Sequence, residues 1–222
     1  MKGDAVLFSE MTPPEGGEDA FNHWYDNHHT PSHVNGVPGF LSAMRYRSAA
    51  GAHYLAVYEL AGVEVLDSEE YRARKLTPDG PTRDMLQSVS GFTRMIGAER
   101  FSINRDDATD ALDAPVIFCV FLSVPMERAG EYEDWFDTEH APLLLGSAQW
   151  LMVRRFDVVA ADPAPATHMF LHYLGDAAVL DSDTVRQARS TERYAKLAAE
   201  PWFQPLFVTY HRRNARFLKL KG

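Results

Sequence analysis

Several features that would place the chain in a familiar class are scarce or missing. The 222 residues include a single cysteine, Cys119, so an internal disulfide is excluded and the cytoplasm is the expected compartment. No apolar run approaches the roughly 20 residues of a membrane-spanning helix, and residues 1–6 lack the apolar region of a signal peptide. Acidic residues outnumber Lys and Arg by 31 to 22, and the net charge of −9 disfavours nucleic acid as a partner.

Two groups of catalytic motifs are also missing. The sequence has no GxGxxG or P-loop signature, so a bound nucleotide is not indicated, and no GxSxG nucleophile elbow. Cys119 lies within the apolar run 116–121, which favours a buried strand residue over a reactive thiol. The remaining expectation is a small-molecule substrate, with no organic cofactor and no membrane partner.

What the sequence does contain is an internal repeat. Residues 24–31 read Trp-Tyr-Asp-Asn-His-His-Thr-Pro, and residues 135–142 read Trp-Phe-Asp-Thr-Glu-His-Ala-Pro. These segments lie 111 residues apart, which is half of the 222-residue chain. Further pairs of similar segments follow in the same order, as expected for a duplicated and fused unit.

Each half shows the pattern of a β-α-β-β-α-β unit. The prediction is an α+β fold of two ferredoxin-like repeats, 1–105 and 115–222, joined by the polar linker 106–114. Each repeat would leave one face of its sheet uncovered, so the two are expected to pack sheet to sheet as an intramolecular dimeric α/β barrel. A homodimer of fused chains is a further expectation.

The first helix carries a cluster of histidines. Phe21, Trp24, Tyr25 and His28 follow helical spacing, which predicts a buried face that includes His28. Pro31 is predicted to end this helix, because the residue before proline disfavours the α conformation. A metal site on the histidines at 28, 29 and 33 stays open as an alternative. The helix end would break its spacing, however, and no metal is the preferred prediction.

The motif resembles a known family. Residues 24–31, followed by Val-Pro-Gly-Phe at 37–40 and Arg45-Tyr46, resemble the EthD-like branch of the dimeric α/β-barrel superfamily. The second half matches through 135–142 and departs at 144–147, where Leu-Leu-Gly-Ser replaces the Pro-Gly turn. That superfamily includes cofactor-free monooxygenases, lactone isomerases, polyketide cyclases, dehydratases and haem-handling proteins. The resemblance therefore implies a fold and small-molecule chemistry, without selecting one reaction.

The repeated histidines are the leading catalytic candidates. An aspartate three residues earlier lies on the same helix face, where it could fix the tautomer of each histidine and raise its pKa. The alternative is that a last-turn histidine favours the helix dipole and forms a surface pair with the aspartate. The predicted catalytic residues are His29, His140, Asp26, Asp137 and His28.

Strand residues could bind the substrate. Arg45 and its counterpart Arg155 could hold a carboxylate or an enolate, or form a salt bridge at the sheet edge. His53 and its apparent match His168 could line a cavity or cap the start of a strand. The predicted substrate-binding residues are Trp24, Trp135, Tyr58, Tyr173, Arg45 and His53.

The functional prediction is an enzyme without an organic cofactor that uses histidine acid–base chemistry. Its substrate would be a cyclic or aromatic carbonyl or phenolic compound, and its reaction an isomerisation, cyclisation or dehydration. The first half is the preferred site, because it has more histidines. Two alternatives stay open: a cofactor-free or haem-linked monooxygenase, and a non-catalytic accessory protein that binds a small ligand.

Overall fold

The structure, a computed structural model, describes residues 2–108, 110–163 and 166–220. The chain divides into two compact units. Of the described residues, unit 1 contains 2–98, 159–163 and 213–220, and unit 2 contains 99–108, 110–158 and 166–212. The predicted boundaries of repeats and linker stay predictions, and their positions 1, 109 and 222 lie outside the described residues.

Unit 1 is an antiparallel sheet with helices packed on one face. Its strands are β1 (Ala5–Thr12), β2 (Phe40–Ser48), β3 (Tyr54–Leu60) and β4 (Ser90–Asn104, to Ala98 in this unit), with a short β9 (Phe217–Leu218) paired to β2. Its helices are α1 (Glu18–Trp24), a first π segment (Tyr25–His29), α2 (Thr30–Gly36), α3 (Glu69–Leu76) and α4 (Gly80–Ser88). The sheet order is β2-β3-β1-β4.

Unit 2 repeats this plan. Its strands are β5 (Val116–Leu122), β6 (Trp150–Asp162, to Val158 in this unit), β7 (His168–Leu174) and β8 (Leu206–Arg212), in the order β6-β7-β5-β8. Its helices are α5 (Ala129–Trp135), a second π segment (Phe136–His140), α6 (Ala141–Leu144), α7 (Asp183–Ala188) and α8 (Glu192–Ala198). The predicted α+β class is confirmed, whereas the packing of the two sheets as a barrel stays a prediction.

The helices of unit 1 cover the apolar face of its sheet. Alternate strand residues point to the same face, so Leu7 of β1 and its cross-strand partner Tyr58 of β3 both face the helices. They share a buried cluster with Phe21 of α1 and Val34 of α2. Full burial of a side chain such as Phe21 contributes about 2 kcal/mol, so this cluster fixes the helices on the sheet.

Both copies of the motif form a π-helical segment within a longer helix. The N–H of Thr30 donates to the carbonyl of Tyr25, five residues earlier, and the N–H of Ala141 donates to that of Phe136. A π turn contains one residue more than an α turn, so it rotates the following helix face by about one residue.

This rotation corrects two predictions about the first helix. Pro31 does not end it, because α2 continues to Gly36 with the proline in its first turn, where a missing N–H is tolerated. The histidine predicted on the buried face, His28, turns outward with 42% of its side chain exposed. His29 turns inward instead, and its ring lies 4.4 Å from that of His33, one turn later.

Strand register corrects the predicted match between the halves. Tyr54 pairs with Arg47 in unit 1, and His168 pairs with Asp157 at the same place in unit 2. The counterpart of His168 is therefore Tyr54 and not His53. By the same register the counterpart of Tyr58 is His172. The predicted partner, Tyr173, is one residue off, and a shift of one residue moves a side chain to the opposite sheet face.

Candidate functional site

Unit 1 contains a cavity of about 170 Å³ between its helices and its sheet, called here the unit 1 cavity. Its apolar lining includes Leu7, Met11, Tyr58, Tyr71 and Phe92. A side cavity of about 180 Å³ shares with it His29, His33, Arg74, Pro78 and Thr82. An apolar cavity of about 150 Å³ is large enough to bind benzene, so the unit 1 cavity can hold an aromatic ring.

Two adjacent histidines line both cavities. The ring of His29 lies between Trp24, at 4.4 Å, and His33, also at 4.4 Å. Burial lowers the pKa of His29 well below its usual value, and the neighbouring His33 lowers it further. Burial also lowers the pKa of His33. Both imidazoles are therefore neutral at pH 7.

The tautomer of His33 follows from its hydrogen bond. Its Nδ1 lies 2.9 Å from the carbonyl oxygen of His29, which can only accept, so Nδ1 carries the proton. In the neutral ring Nε2 then has a free lone pair and can accept a proton. His29 differs, because its buried Nδ1 has no hydrogen-bond partner among the described residues. The pair thus offers a fixed base beside a histidine with an unsatisfied nitrogen.

A buried tyrosine completes the polar part of the unit 1 cavity. The hydroxyl groups of Tyr58 and Tyr25 are buried, and neither makes a hydrogen bond of acceptable geometry within the described parts of the chain. Burial raises the pKa of Tyr58 well above its usual value, so its hydroxyl stays protonated. Tyr58 lines the cavity, and its hydroxyl oxygen is covered and lies close to the hydroxyl groups of Tyr25 and Thr30.

The predicted pair of Asp26 and His29 is not formed. Oδ1 of Asp26 accepts from Arg45 at 2.6 Å and from Asn214 at 3.0 Å, and Oδ2 accepts from Arg213. Arg45 is 2% exposed, and its guanidinium lies 4.3 Å from the ring centre of Tyr25. Arg45 therefore anchors the first π segment to β2, and neither side chain lines the unit 1 cavity.

The predicted catalytic His28 also lies outside the unit 1 cavity. Its Nε2 lies 2.7 Å from Oδ2 of Asp79. Asp79 caps α4, because its other oxygen accepts from the N–H of Thr82 at 2.8 Å. Hydrogen bonds from Thr82 are the main reason that the pKa of Asp79 falls to about 2. His28 thus ties the first π segment to α4.

The remaining predicted substrate-binding residues lie in different places. His53 is exposed just before β3, where its Nδ1 lies 2.5 Å from Oγ1 of Thr12. Trp24 is 6% exposed and supports the ring of His29. Tyr173 lies on the other face of its strand, where its hydroxyl accepts from Nη1 of Arg154 at 3.3 Å. Of the predicted substrate-binding residues in unit 1, Tyr58 lines the cavity.

Unit 2 has a much smaller cavity, about 60 Å³, at the equivalent place. His140 lines it, stacked on Trp135 at 4.6 Å. Burial lowers the pKa of His140 to about 4. His172 replaces the tyrosine of unit 1 and accepts from Nε1 of Trp150 at 3.2 Å. Burial, with His140 nearby, lowers the pKa of His172 to about 3.

Two residue differences account for the smaller cavity of unit 2 and for its lack of a second histidine at the position of His33. Leu144 stands where unit 1 has His33, and Phe170 stands where the register puts Ala56. The predicted Asp137 forms a two-pronged salt bridge with Arg155, at 3.0 and 2.7 Å, and does not orient His140. The two halves therefore share the π segment and the Arg–Asp pair, but not the base of unit 1.

The predicted metal alternative has no geometric support at the histidine cluster. Within the described ranges, the group that could present three ligand atoms to one ion is Glu133, Asp157 and His168. Both carboxylates already pair with arginines: Nη1 of Arg155 lies 3.5 Å from Glu133, and Arg100 donates to Asp157 at 2.7 Å.

The unit 1 cavity and the side cavity, of about 170 Å³ and 180 Å³, share five lining residues and adjoin each other, whereas the unit 2 cavity measures about 60 Å³. The haem-linked alternative stays a prediction.

Sequence reasoning missed most of the cavity wall. Tyr71, Arg74 and Thr82 line it from α3 and α4, and Arg94 lines it from β4. No local motif marks these residues, because they come together through the fold. His33 appeared in the sequence only as a metal candidate, and its spacing of four from His29 was the available signal.

Comparisons with known proteins give the fold. The sequence matches no protein-family model, and it matches no curated protein. The structure resembles that of an anthrone oxidase-like protein, with 11% identity, a TM-score of 0.65 and coverage of 96% of this chain and 92% of that one. A proposed monooxygenase from Lactobacillus acidophilus has 12% identity and a TM-score of 0.59, with coverage of 97% of this chain and 96% of that one. A variant of chlorite dismutase from Candidatus Nitrospira defluvii has 10% identity and a TM-score of 0.57, with coverage of 95% of this chain and 92% of that one.

Identities this low show a shared fold and nothing about activity. The chain shares the fold of these neighbours, in agreement with the α+β class predicted from the sequence. The narrower EthD-like assignment is not confirmed. In the described residues, no helix has the length and apolar character required to cross a membrane.

Proposed function

We propose that unit 1 is the active half of an enzyme that removes a proton from a cyclic or aromatic carbonyl or phenolic compound. The observation that carries this proposal is the neutral histidine pair beside a buried tyrosine hydroxyl in an apolar cavity of ring size. A base, a hydrogen-bond donor and an apolar binding surface are the parts that enolisation requires.

The substrate carbonyl oxygen would accept from the hydroxyl of Tyr58, and Nε2 of His33 would take the proton from the adjacent carbon. The electron pair of the broken C–H bond moves to the oxygen, which gives an enolate. Burial disfavours the imidazolium, but the enolate forms beside it, and the attraction between the two charges offsets that cost. Removing one donor to such an oxygen costs roughly 3–4 kcal/mol of barrier in known enzymes.

The neighbouring residues would hold this arrangement in place. The ring of His29 contacts that of His33, and its carbonyl accepts from Nδ1 of His33, so His29 fixes the base. His29 also lines the same cavity, although its unsatisfied Nδ1 is itself covered. Asp26 and His28, predicted as catalytic, would act as positioning residues that anchor the first π segment.

The fate of the enolate would decide the reaction. Return of the proton at another atom gives isomerisation, and loss of a leaving group gives dehydration. A second candidate is oxidation by dioxygen, which the anthrone oxidase-like and monooxygenase neighbours favour. With anthrone, one oxygen atom would become the new carbonyl of anthraquinone, and the other would leave as water with the two methylene hydrogens.

The architecture behind the proposal is a tandem EthD-like duplication of two ferredoxin-like repeats in a fused barrel. Fusion allows the halves to diverge, which identical subunits cannot do. Unit 2, with His140 and Asp137, would then keep the fold while unit 1 keeps the chemistry. A cytoplasmic location, a small-molecule substrate, the absence of nucleic-acid and membrane partners, and a homodimer of fused chains belong to the same proposal.

Anaerobic exchange of the anthrone methylene protons for deuterium tests proton removal by itself. In D₂O without dioxygen, the wild-type protein should accelerate exchange followed by NMR. The variants His29→Ala and His33→Leu should reduce the protein-dependent rate by roughly 100-fold, the usual contribution of a general base. His53→Ala is the control, because His53 lies outside the cavity. Unchanged exchange in both cavity variants would refute the proposal.

Oxygen consumption separates the two candidates. Oxidation by dioxygen is supported if the protein in air-saturated buffer consumes dioxygen and converts anthrone to anthraquinone as fast as it catalyses anaerobic deuterium exchange. Exchange without oxygen uptake above the background rate leaves isomerisation, cyclisation or dehydration.

A further inference from the structure

The rim of the unit 1 cavity carries three cationic side chains. Arg74 and Lys75 come from the last turn of α3, and Arg94 comes from β4. Arg74 also lines the side cavity, beside His29 and His33. Because the whole chain has a net charge of −9, three cations at one cavity run against its overall charge.

These cations have no carboxylate partner. Across the parts of the chain that the structure describes, Arg74, Lys75 and Arg94 form no ion pair, and Nη2 of Arg94 donates to the hydroxyl of Tyr71 at 3.0 Å. Surface arginines elsewhere on the protein are commonly paired. Arg72 provides the contrast on the same helix, since its Nη2 lies 3.0 Å from Asp67.

The acidic residue that lines the side cavity already has hydrogen-bond partners. Asp79 lines the side cavity, but its oxygens bind His28 at 2.7 Å and the N–H of Thr82 at 2.8 Å. It also caps α4, so moving it toward Arg74 would cost that cap. Asp79 is the one acidic residue among the described residues that line the two cavities, so the three cations are available to an anion from solution.

The guanidinium of Arg74 lies against Gly36. A Cβ atom at Gly36 would lie 2.1 Å from Nη2 of Arg74, which is too close for a real contact. The guanidinium thus lies against the end of α2, three residues after His33. This seats a planar, two-pronged donor at the entrance to the base, and such a donor suits a carboxylate.

We propose that the unit 1 cavity binds an aromatic carboxylate, with its ring among the apolar side chains and its carboxylate held by Arg74. Lys75 and Arg94 add attraction to the negative charge. The inference rests on the proposed assignment of unit 1 as the substrate-binding half, and it narrows the substrate to an anion. The unit 2 cavity, with Arg189 as the one Lys or Arg among its described lining residues, is not expected to share this selectivity.

A matched pair of ligands tests the charge alone. 2-Naphthoate and 2-naphthamide have nearly the same shape, and calorimetric titration of the full chain gives the Kd of each. The wild-type protein should bind 2-naphthoate at least about tenfold more tightly. Arg74→Gln, which keeps the length and removes the charge, should abolish most of that preference. Arg72→Gln is the control, because Arg72 pairs with Asp67 and does not line the cavity.

Each other outcome overturns the inference. It fails if the amide binds as tightly as the carboxylate, if neither binds at millimolar concentration, or if Arg72→Gln lowers the preference as much as Arg74→Gln. Its failure is distinct from failure of the proposed chemistry. Carboxylate selectivity without proton exchange would leave the binding site intact and remove the reaction. Exchange of neutral anthrone without carboxylate selectivity would do the reverse.

Discussion

At the scale of single residues, the two repeated histidines have the same support and different neighbours. His29 and His140 each stack on a tryptophan at the end of a π segment. The next turn brings a histidine in unit 1 and Leu144 in unit 2. A leucine side chain cannot accept a proton from the substrate, so the repeated motif alone is not sufficient for the proposed chemistry. The residue that distinguishes the halves is His33.

The buried histidines of unit 2 predict a pH dependence of stability. His172 has a pKa of about 3, below the 6.5 of an unfolded chain, so the unfolded state binds more protons between these values. Its contribution to stability is present above pH 6.5 and is lost as the pH falls. Between pH 6.5 and 4 the loss should be about 3 kcal/mol. Urea unfolding of the wild type and His172→Gln over this range measures it.

The readout is the difference between the two pH profiles, because carboxylates also titrate in this range. The profile of His172→Gln should be the flatter one. His53→Gln, at an exposed position, should leave the profile unchanged. A His172→Gln profile parallel to that of the wild type would show that this histidine is not held neutral by burial.

At the scale of elements, the π segment decides which residues face the cavity. An uninterrupted α-helix would place His28 inward, as sequence periodicity predicts. The extra residue of the π turn places His29 inward instead and keeps His33 one turn beyond it. The segment is held from three sides, by Arg45, by Arg213 and by the contact of His28 with Asp79.

Substituting the proline that follows the first π segment should reduce activity more than stability. Pro31→Ala restores a backbone N–H and favours a regular α turn, which would shift the histidines by part of a turn. A displacement of about 1 Å at a reacting group costs roughly 100-fold in rate. Deuterium exchange and thermal unfolding of Pro31→Ala measure both effects. Pro142→Ala is the matched control in unit 2, and equal loss of exchange in both variants would contradict the assignment.

The Arg–Asp pair should matter for folding. Arg45→Met leaves Asp26 without its buried partner and should destabilise the protein by about 3 kcal/mol, measured by chemical unfolding. Arg47→Met is the comparison on the same strand, because Arg47 is 56% exposed and lies 3.7 Å from Glu18. Exposed pairs contribute about 0–1 kcal/mol. If the two variants have equal stability, Arg45 is not the anchor described here.

At the scale of the whole molecule, sequence reasoning predicted what depends on local pattern. The α+β class and the order of the strands and main helices follow from hydrophobic periodicity, whereas the tandem repeat stays a prediction. The orientation of individual residues does not, because one extra residue in a π turn exchanges His28 for His29. A one-residue slip in the strand likewise exchanged Tyr54 for His53.

The missing parts of the site depend on contacts between distant segments. Arg74 and Arg94 reach the unit 1 cavity from elements far along the chain from His33. The partner of Asp26 was also unpredictable, since three groups compete for its two oxygens and two of them come from residues near 213. Both units contain the Arg–Asp pair, whereas Leu144 and Phe170 in unit 2, in place of His33 and Ala56 in unit 1, account for the difference between the cavities.

The most direct test of the proposed active site compares one histidine variant in each unit. Anaerobic deuterium exchange of anthrone is measured for the wild type, for His33→Leu, which gives unit 1 the residue of unit 2, and for His140→Phe. We expect His33→Leu to lose roughly 100-fold of the protein-dependent rate, and His140→Phe to stay within about twofold. Loss of exchange in His140→Phe with full activity in His33→Leu would contradict the account and move the active site to unit 2.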